Sequence, residues 1–161
     1  MRNGVHEHIV EQEIVLEAVP VICAEILACV REHSFAGACV IALSGPLGAG
    51  KTTFSQAFAR TLGVTQTVQS PTFVIEKRYA TSDQNFTKLV HIDAYRLEDP
   101  HELEVLGFSQ TKKDQHTLIL VEWAERIETM LPLETFWIWL EHREGDTRHM
   151  RYGWKKIPAE I

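Results

Sequence analysis

The residues from 45 to 52 carry the clearest chemical pattern in the sequence. They read Gly-Pro-Leu-Gly-Ala-Gly-Lys-Thr, a complete match to the pattern G-x-x-x-x-G-K-[ST]. In this pattern the glycines allow the backbone to wrap round phosphate oxygens and to point amide N–H groups at them. The pattern predicts a nucleoside triphosphate site in which Lys51 contacts the outer phosphates and the Thr52 hydroxyl contacts Mg²⁺.

The backbone of the loop is expected to supply most of the contacts to the nucleotide. Pro46 has no amide N–H and a fixed φ, so it removes one possible donor, whereas the amides from Leu47 to Thr53 stay available. The residues expected to bind the nucleotide are Gly45, Pro46, Leu47, Gly48, Ala49, Gly50, Lys51, Thr52 and Thr53.

Two predicted elements hold this loop in place. The apolar run from 39 to 43 predicts a buried strand before it, and Phe54, Ala57 and Phe58 recur at helical spacing after it. Gly63 is suited to the C-terminal end of that helix, whose positively polarised N-terminus faces the phosphates. The order of strand, loop and helix favours a phosphate site over a chance glycine-rich turn.

Two acidic residues end predicted strands further along the chain. Segments 73–79 and 86–93 predict an antiparallel hairpin that ends at Asp93, and 117–122 predicts a buried strand that ends at Glu122. Ligand sites gather at such strand ends in α/β sheets, and an acid at the position of Glu122 holds Mg²⁺ or polarises an attacking water in phosphate-loop enzymes. Ordinary strand-terminal acids are the alternative for both residues.

The polar segment 64–72 connects the predicted helix to the hairpin. It carries several hydroxyl side chains and Pro71. A segment at this place can fold over the terminal phosphate and act as a switch, and a plain surface loop fits its composition equally well.

The remaining segments complete an α/β pattern. Residues 8–16 predict a strand, 20–31 predict an amphipathic helix with Pro20 in its first turn, and 135–142 with 147–154 predict a terminal hairpin. We therefore expect a single P-loop NTPase-like domain over residues 1–161, with a mixed central sheet flanked by helices.

Composition limits the classes of function. The 161 residues are 45% hydrophobic and carry a formal net charge of −6, which argues against autonomous binding to DNA or RNA. No apolar stretch predicts a signal peptide or a membrane span, so a cytoplasmic protein without a membrane partner is expected. The three cysteines, Cys23, Cys29 and Cys39, are expected to be buried and reduced.

Several motifs then occur in one order along the chain. They are Gly-Pro-Leu-Gly-Ala-Gly-Lys-Thr-Thr at 45–53, Ser-Pro-Thr-Phe at 70–73, His-Ile-Asp-Ala-Tyr-Arg-Leu at 91–97, Asp-Pro-His-Glu-Leu-Glu at 99–104 followed by Gly107, and Val-Glu-Trp-Ala-Glu-Arg at 121–126. In this combination the chain resembles the TsaE family, formerly YjeE, whose members are bacterial ATPases needed to make threonylcarbamoyladenosine in tRNA.

The resemblance implies a function that the loop alone does not. It implies that the chain binds ATP with Mg²⁺ and hydrolyses it slowly to ADP. It also implies that the chain docks on TsaD-like and TsaB-like transferase subunits and contacts tRNA only indirectly, through that complex. It also implies that Trp123 lies at the site, although a Trp after a strand is by itself more often a core residue. The second loop residue is usually Asp in the family and is Pro46 here.

The same resemblance assigns roles to individual side chains. Thr72 is expected in a switch-like loop over the site, and Asp93 is expected near the metal and the γ-phosphate. The implied catalytic residues are Lys51, Thr72, Asp93 and Glu122, and the implied Mg²⁺ ligands are Thr52, Asp93 and Glu122.

Two other functions use the same loop. A small-molecule P-loop kinase transfers the phosphate to a bound acceptor, for which Arg60, Arg96 or Arg126 could neutralise the transferred group, but no arginine-bearing lid is evident. A non-catalytic adaptor would use bound ATP or ADP only to select a partner-binding surface.

Overall fold

The centre of the fold is a seven-stranded mixed sheet. A computed structural model describes residues 9–154 of the chain. The strands are β1 (Val10–Val15), β2 (Cys39–Ser44), β3 (Glu76–Ala80), β4 (Lys88–Asp93), β5 (Thr117–Glu122), β6 (Thr135–His142) and β7 (Thr147–Trp154). Their order across the sheet is β1-β7-β6-β2-β5-β4-β3.

The four central strands, β6, β2, β5 and β4, are parallel to one another. The three outer strands join antiparallel, with β3 on β4 at one edge and β7 with β1 at the other. Strands β2 and β5 are buried on both faces, which explains why each reads as an almost continuous apolar run. Because β2, β5 and β4 are parallel, their C-terminal ends lie side by side at the same end of the strands.

Helices cover both faces of this sheet. The helices are α1 (Val19–Arg31), α2 (Lys51–Thr61), α3 (Glu102–Val105) and α4 (Phe108–Thr111), with 3₁₀ helices at Leu16–Ala18 and Ala124–Met130. On one face Ile26 and Phe58 of α1 and α2 pack against Ile41. On the other face Leu103 and Phe108 pack against the opposite side chains of the same strands. Burial of these apolar groups is the main stabilising contribution to the fold.

The mixed α/β fold, the strand before the loop, the helix after it and both hairpins are confirmed. The first hairpin is shorter than predicted, because its strands begin at Glu76 and Lys88 and not at Phe73 and Phe86. Phe73 lies in a turn and is 83% exposed. Part of the first predicted strand, at residue 8, lies outside the described residues. The single domain expected over 1–161 stays a prediction, because residues 1–8 and 155–161 lie outside the described residues.

The expected burial of the three cysteines is wrong for one of them. Cys23 and Cys39 are buried, whereas Cys29 lies on the exposed side of α1. Burial raises the pKa of the Cys23 thiol to about 12, so this thiol stays protonated at neutral pH. Among residues 9–154, no helix is long and apolar enough to cross a membrane.

Candidate functional site

The glycine-rich loop leaves the C-terminal end of β2 and enters α2 at Lys51. Gly45 and Gly50 both have positive φ, at 151° and 104°, and residues other than glycine rarely adopt these backbone conformations. A Cβ atom at Gly45 would also overlap the carbonyl oxygen of Leu140 in β6. The glycine at 45 is therefore required both by the local conformation and by the close approach of a neighbouring strand.

Lys51 is almost fully buried inside this loop, with 5% of its surface exposed. Its Nζ donates hydrogen bonds to the carbonyls of Gly45 and Pro46, the latter at 2.9 Å, and lies 3.8 Å from the centroid of the Trp123 ring. Burial lowers the pKa of Lys51, and three carboxylates oppose this shift, those of Glu125, Glu122 and Asp93.

Pro46 takes part in the loop through its carbonyl. That oxygen accepts from Lys51 and also from the Ala49 N–H, at 3.1 Å, which closes a turn at the start of the loop. The missing amide at position 46 therefore leaves the hydrogen bonds that shape this part of the loop in place.

Glu122 ends β5 with a buried carboxylate, which is 1% exposed. Its Oε1 accepts from the Thr52 hydroxyl at 2.8 Å, and its Oε2 accepts from His91 Nε2 at 2.5 Å. Thr52 belongs to the first turn of α2 and His91 to β4, so three separate elements meet at this carboxylate. His91 and Asp93 are two residues apart in β4 and therefore lie on the same face of it, but the sequence gave no reason to assign His91 to the site.

Asp93 ends β4 and pairs with Glu122 in the register of the sheet. Its Oδ2 accepts from the Thr72 hydroxyl at 2.8 Å, and its Oδ1 accepts from the Tyr95 N–H at 2.9 Å. Ser70 lies 2.6 Å from Thr72, oxygen to oxygen, and also donates to Asp93. The segment before β3 is therefore held against the strand end by its hydroxyl groups.

Trp123 lies at the site and is only half-buried. Its backbone adopts a left-handed conformation, with φ of 57°, directly after β5. This conformation turns the chain out of the sheet and places the indole ring beside Lys51 and 4.9 Å from the Tyr95 ring. The expectation that Trp123 belongs to the site is consistent with this position.

A cavity of about 370 Å³ lies between these groups. Of the predicted site residues, the cavity is lined by Leu47, Gly48, Gly50, Lys51, Thr52, Thr53, Thr72, Asp93, Glu122 and Trp123. Gly45, Pro46 and Ala49 do not line it. Leu16, Ser70, Tyr95 and Arg148 also line the cavity, and sequence reasoning did not assign any of them.

Arg148 is the charged residue that the sequence missed. It lies in β7, and its Nε donates to the carbonyl of Ala49 at 3.2 Å. The two residues are 99 positions apart, and nothing in the sequence of the terminal hairpin distinguishes Arg148 from Arg143 or Arg151. Only the sheet order, which could not be read from the pattern, brings β7 near the loop.

The fold and this site together define a class. The chain has a P-loop NTPase-like α/β fold, with a glycine-rich loop between the central strand β2 and its helix. Acidic residues end the next two strands on one side of β2, which are β5 and β4. Residues 17–150 match the family model of TsaE, described as threonylcarbamoyl adenosine biosynthesis protein. The chain belongs to the TsaE family.

Individual relatives agree with the family match. The tRNA threonylcarbamoyladenosine biosynthesis protein TsaE of Bacillus subtilis strain 168 is 43% identical over 113 residues, which are 70% of this chain and 68% of that protein. The protein of the same description from Mycobacterium tuberculosis H37Rv is 33% identical over 122 residues, 71% of each chain. The crystal structure of Bacillus subtilis YdiB superposes with a TM-score of 0.70 and 30% identity, covering 94% of this chain and 90% of that one.

Proposed function

We propose that this chain binds ATP with Mg²⁺ in the cavity beside the glycine-rich loop and hydrolyses it slowly to ADP. The observation that carries the proposal is the buried Glu122 carboxylate bonded to the hydroxyl of Thr52, directly after the loop. A carboxylate and a hydroxyl at this place match the arrangement by which P-loop proteins hold the metal of a bound nucleotide. The cavity volume of about 370 Å³ is within the range of small-molecule sites.

The oxygen donors fit Mg²⁺. Among residues 9–154, no group of three or more His, Cys, Asp or Glu side chains is arranged to hold a metal by itself. Mg²⁺ is usually held by one or two carboxylates together with substrate phosphates and water. Thr52, Glu122 and Asp93 are the residues that would hold it, and when bound it would neutralise charge on the phosphates.

The chain's own residues supply the other parts of the proposed activity. Lys51 presents a buried cation to the outer phosphates, where low exposure strengthens the interaction. Thr72 and Ser70 hold their segment against Asp93, which places hydroxyl groups at the side of the cavity where the terminal phosphate would lie. These groups would orient the reacting phosphate and limit its contact with bulk water.

Family membership supports a role in threonylcarbamoyladenosine synthesis, since proteins of this family take part in that pathway. We propose that the chain acts on a TsaD–TsaB transferase complex. The net charge of −6 supports contact with tRNA only through that complex, because a protein that binds the phosphate backbone alone needs a basic surface. An ATPase cycle would then reset the partner complex.

The test is ATP hydrolysis and tRNA modification in a reconstituted system. Lys51→Ala and Glu122→Ala are expected to abolish both, since each removes a charged group from the cavity. Lys113→Ala and Glu144→Ala change exposed residues of the same types away from the cavity and serve as matched controls. Full modification activity with either cavity variant would contradict the proposed mechanism.

The same assay separates the two alternative functions. A small-molecule kinase would give a phosphorylated product with candidate metabolites, whereas an ATPase releases free phosphate. A non-catalytic adaptor would release no more phosphate than Lys51→Ala, with or without TsaD, TsaB and tRNA. We expect phosphate release that depends on Lys51 and increases with the partner subunits present.

A further inference from the structure

Arg148 is held in one position by the backbone around it. Its Nη1 donates to the carbonyls of Gly145, at 3.1 Å, and Thr147, at 3.0 Å, inside the turn of its own hairpin. Its Nε donates to the carbonyl of Ala49 in the glycine-rich loop. Three hydrogen bonds from two of its nitrogens fix the plane of the guanidinium group, so little side-chain entropy remains to be lost when it binds a ligand.

The remaining nitrogen of this group, Nη2, has no hydrogen-bond partner among the described residues. No carboxylate in residues 9–154 forms an ion pair with Arg148, unlike Arg31, Arg78 and Arg143. The side chain lines the same cavity as Lys51, and its Nε would lie 3.8 Å from a Cβ atom at Gly50. Arg148 therefore brings an unpaired positive charge to the wall of the cavity, next to the loop.

We propose that Arg148 is a second phosphate-binding cation of this site. In this role Nη2 binds a phosphate oxygen of the nucleotide, while Nε fixes the Ala49 carbonyl and with it the loop segment before Lys51. Guanidinium groups bind phosphate well because their N–H groups diverge in one plane and are only weakly hydrated. The inference rests on the proposed nucleotide site and adds β7 to the elements that build it.

The alternative role for Arg148 is purely structural. The bond to Ala49 alone would stabilise the loop, and the charge would then have no part in binding. The two roles differ in salt dependence, because only a direct charge contact to phosphate releases counterions on binding. A direct charge contact also acts on a ligand that consists of phosphate alone, so its loss is expected to weaken the binding of that ligand as well as the binding of ATP.

The experiment measures binding of ATP and of tripolyphosphate, each with Mg²⁺, by calorimetry at several salt concentrations. Arg148→Met keeps the length of the stem and removes the charge. It is expected to weaken both ligands about 10- to 100-fold and to reduce the slope of log Kd against log salt by roughly one. Arg148→Lys keeps a charge without the fork and is expected to bind with intermediate affinity.

The matched control is Arg151→Met in the same strand. Arg151 is exposed, packs over the Trp139 ring at 5.1 Å and does not line the cavity, so its removal is expected to leave both affinities within about twofold. An Arg148→Met variant that binds like Arg151→Met would overturn the inference. So would weaker binding with an unchanged salt slope, or an effect on ATP without one on tripolyphosphate.

Lys51→Ala in the same titrations separates this inference from the proposed function. If Lys51→Ala binds both ligands as well as the native chain does, the nucleotide site itself is wrong. If Lys51→Ala weakens binding and Arg148→Met does not, only the role of Arg148 is wrong. The thermal unfolding midpoint of each variant is measured in parallel, and Arg148→Lys decides the question if Arg148→Met does not fold.

Discussion

At the scale of single residues, the orientation of the Glu122 carboxylate is set by two donors. Thr52 donates to Oε1 and His91 to Oε2, and Glu122 and His91 are buried whereas Thr52 is half-buried at the cavity. The ring of His91 is fully buried, and its Nδ1 has no hydrogen-bond partner among the described residues. A buried polar atom without a partner costs free energy, so the ring is held here by its other nitrogen, which bonds to Glu122.

If Glu122 holds Mg²⁺ as proposed, His91→Leu is expected to lower ATP turnover about 10- to 100-fold, the usual cost of removing a group that orients a metal ligand. His91→Gln should retain most of the activity, because its amide nitrogen can reach the same place as Nε2. Steady-state kinetics checks both variants, and the loss in His91→Leu is expected mainly in kcat. Equal losses in the two variants, or a change in KM alone, would contradict a positioning role.

At the scale of elements, the segment that carries Thr72 ends in a strained turn. The Pro71 carbonyl accepts from the N–H groups of Val74 and Ile75, and the Ile75 carbonyl accepts from Asp93. Ile75 has a φ of 68°, which is unusual for a β-branched side chain and costs about 1–2 kcal/mol. The strain lies between the hydroxyl groups that face the cavity and the first residue of β3.

This conformation predicts an inverted order of stability at position 75. In ordinary extended or helical backbone, Ala is more stable than Gly by about 0.5–1 kcal/mol. At Ile75 the positive φ reverses the preference, so Ile75→Gly is expected to be more stable than Ile75→Ala by about 1 kcal/mol. Urea denaturation of the two variants checks this, and Val74→Ala with Val74→Gly, at an exposed neighbour without positive φ, should show the ordinary order.

The same turn shows where local sequence patterns stop being informative. Phe73 to Ile75 are three apolar residues in a row, which predicts a strand. In the structure they form a turn, because the Pro71 carbonyl accepts from the N–H groups of Val74 and Ile75 and the Ile75 carbonyl accepts from the Asp93 N–H. Strand β5 could be predicted to the residue, since its apolar run needs no distant partner to be recognised. Arg148 could not, because its partner at Ala49 is 99 positions away.

The connection between β3 and β4 depends on a buried acid. Asp83 pairs with Arg31 of α1, and its Oδ1 accepts from the N–H groups of Asn85 and Phe86, each at 2.9 Å. Burial acts to raise the pKa of Asp83, but the Arg31 hydrogen bond and the two backbone donors outweigh it, so the pKa lies below its usual value of 3.8.

Asp83→Asn is expected to lower the free energy of unfolding by about 1–2 kcal/mol at pH 7, since it removes the charge from the pair and keeps Oδ1. Because the pKa is lowered by folding, this stability is present above the unfolded pKa and disappears as pH falls through the lower folded pKa. The free energies of unfolding of the native protein and of Asp83→Asn should therefore become equal as pH falls through the folded pKa, which lies below 3.8. Denaturation curves at pH 7 and at acid pH measure this, and a constant difference would contradict it.

At the scale of the whole molecule, the site joins parts of the chain that are far apart in sequence. The glycine-rich loop, β4, β5 and β7 each contribute a side chain to one cavity. A ligand that binds there stabilises all of these elements together, because it binds the folded state and not the unfolded chain.

ATP with Mg²⁺ at 100 times its Kd is therefore expected to stabilise the protein by about 2.7 kcal/mol, which raises the unfolding midpoint by about 5–10 °C for a chain of this size. Thermal scans with and without ligand measure the shift. Lys51→Ala should show little of it at the same ligand concentration. An equal shift in that variant would mean that the ligand binds elsewhere.

The pairing of β1 with β7 also bears on how the protein forms during synthesis. Gln12 and Tyr152, 140 residues apart, share a hydrogen bond across this pair, and Val10 lies opposite Tyr152 in its register. A nascent chain that has left the ribosome only as far as β5 already contains the glycine-rich loop, Asp93 and Glu122, but its first strand has no neighbour. Because Arg148 belongs to β7, the wall of the cavity that contains it can form only after this strand, too, has left the ribosome.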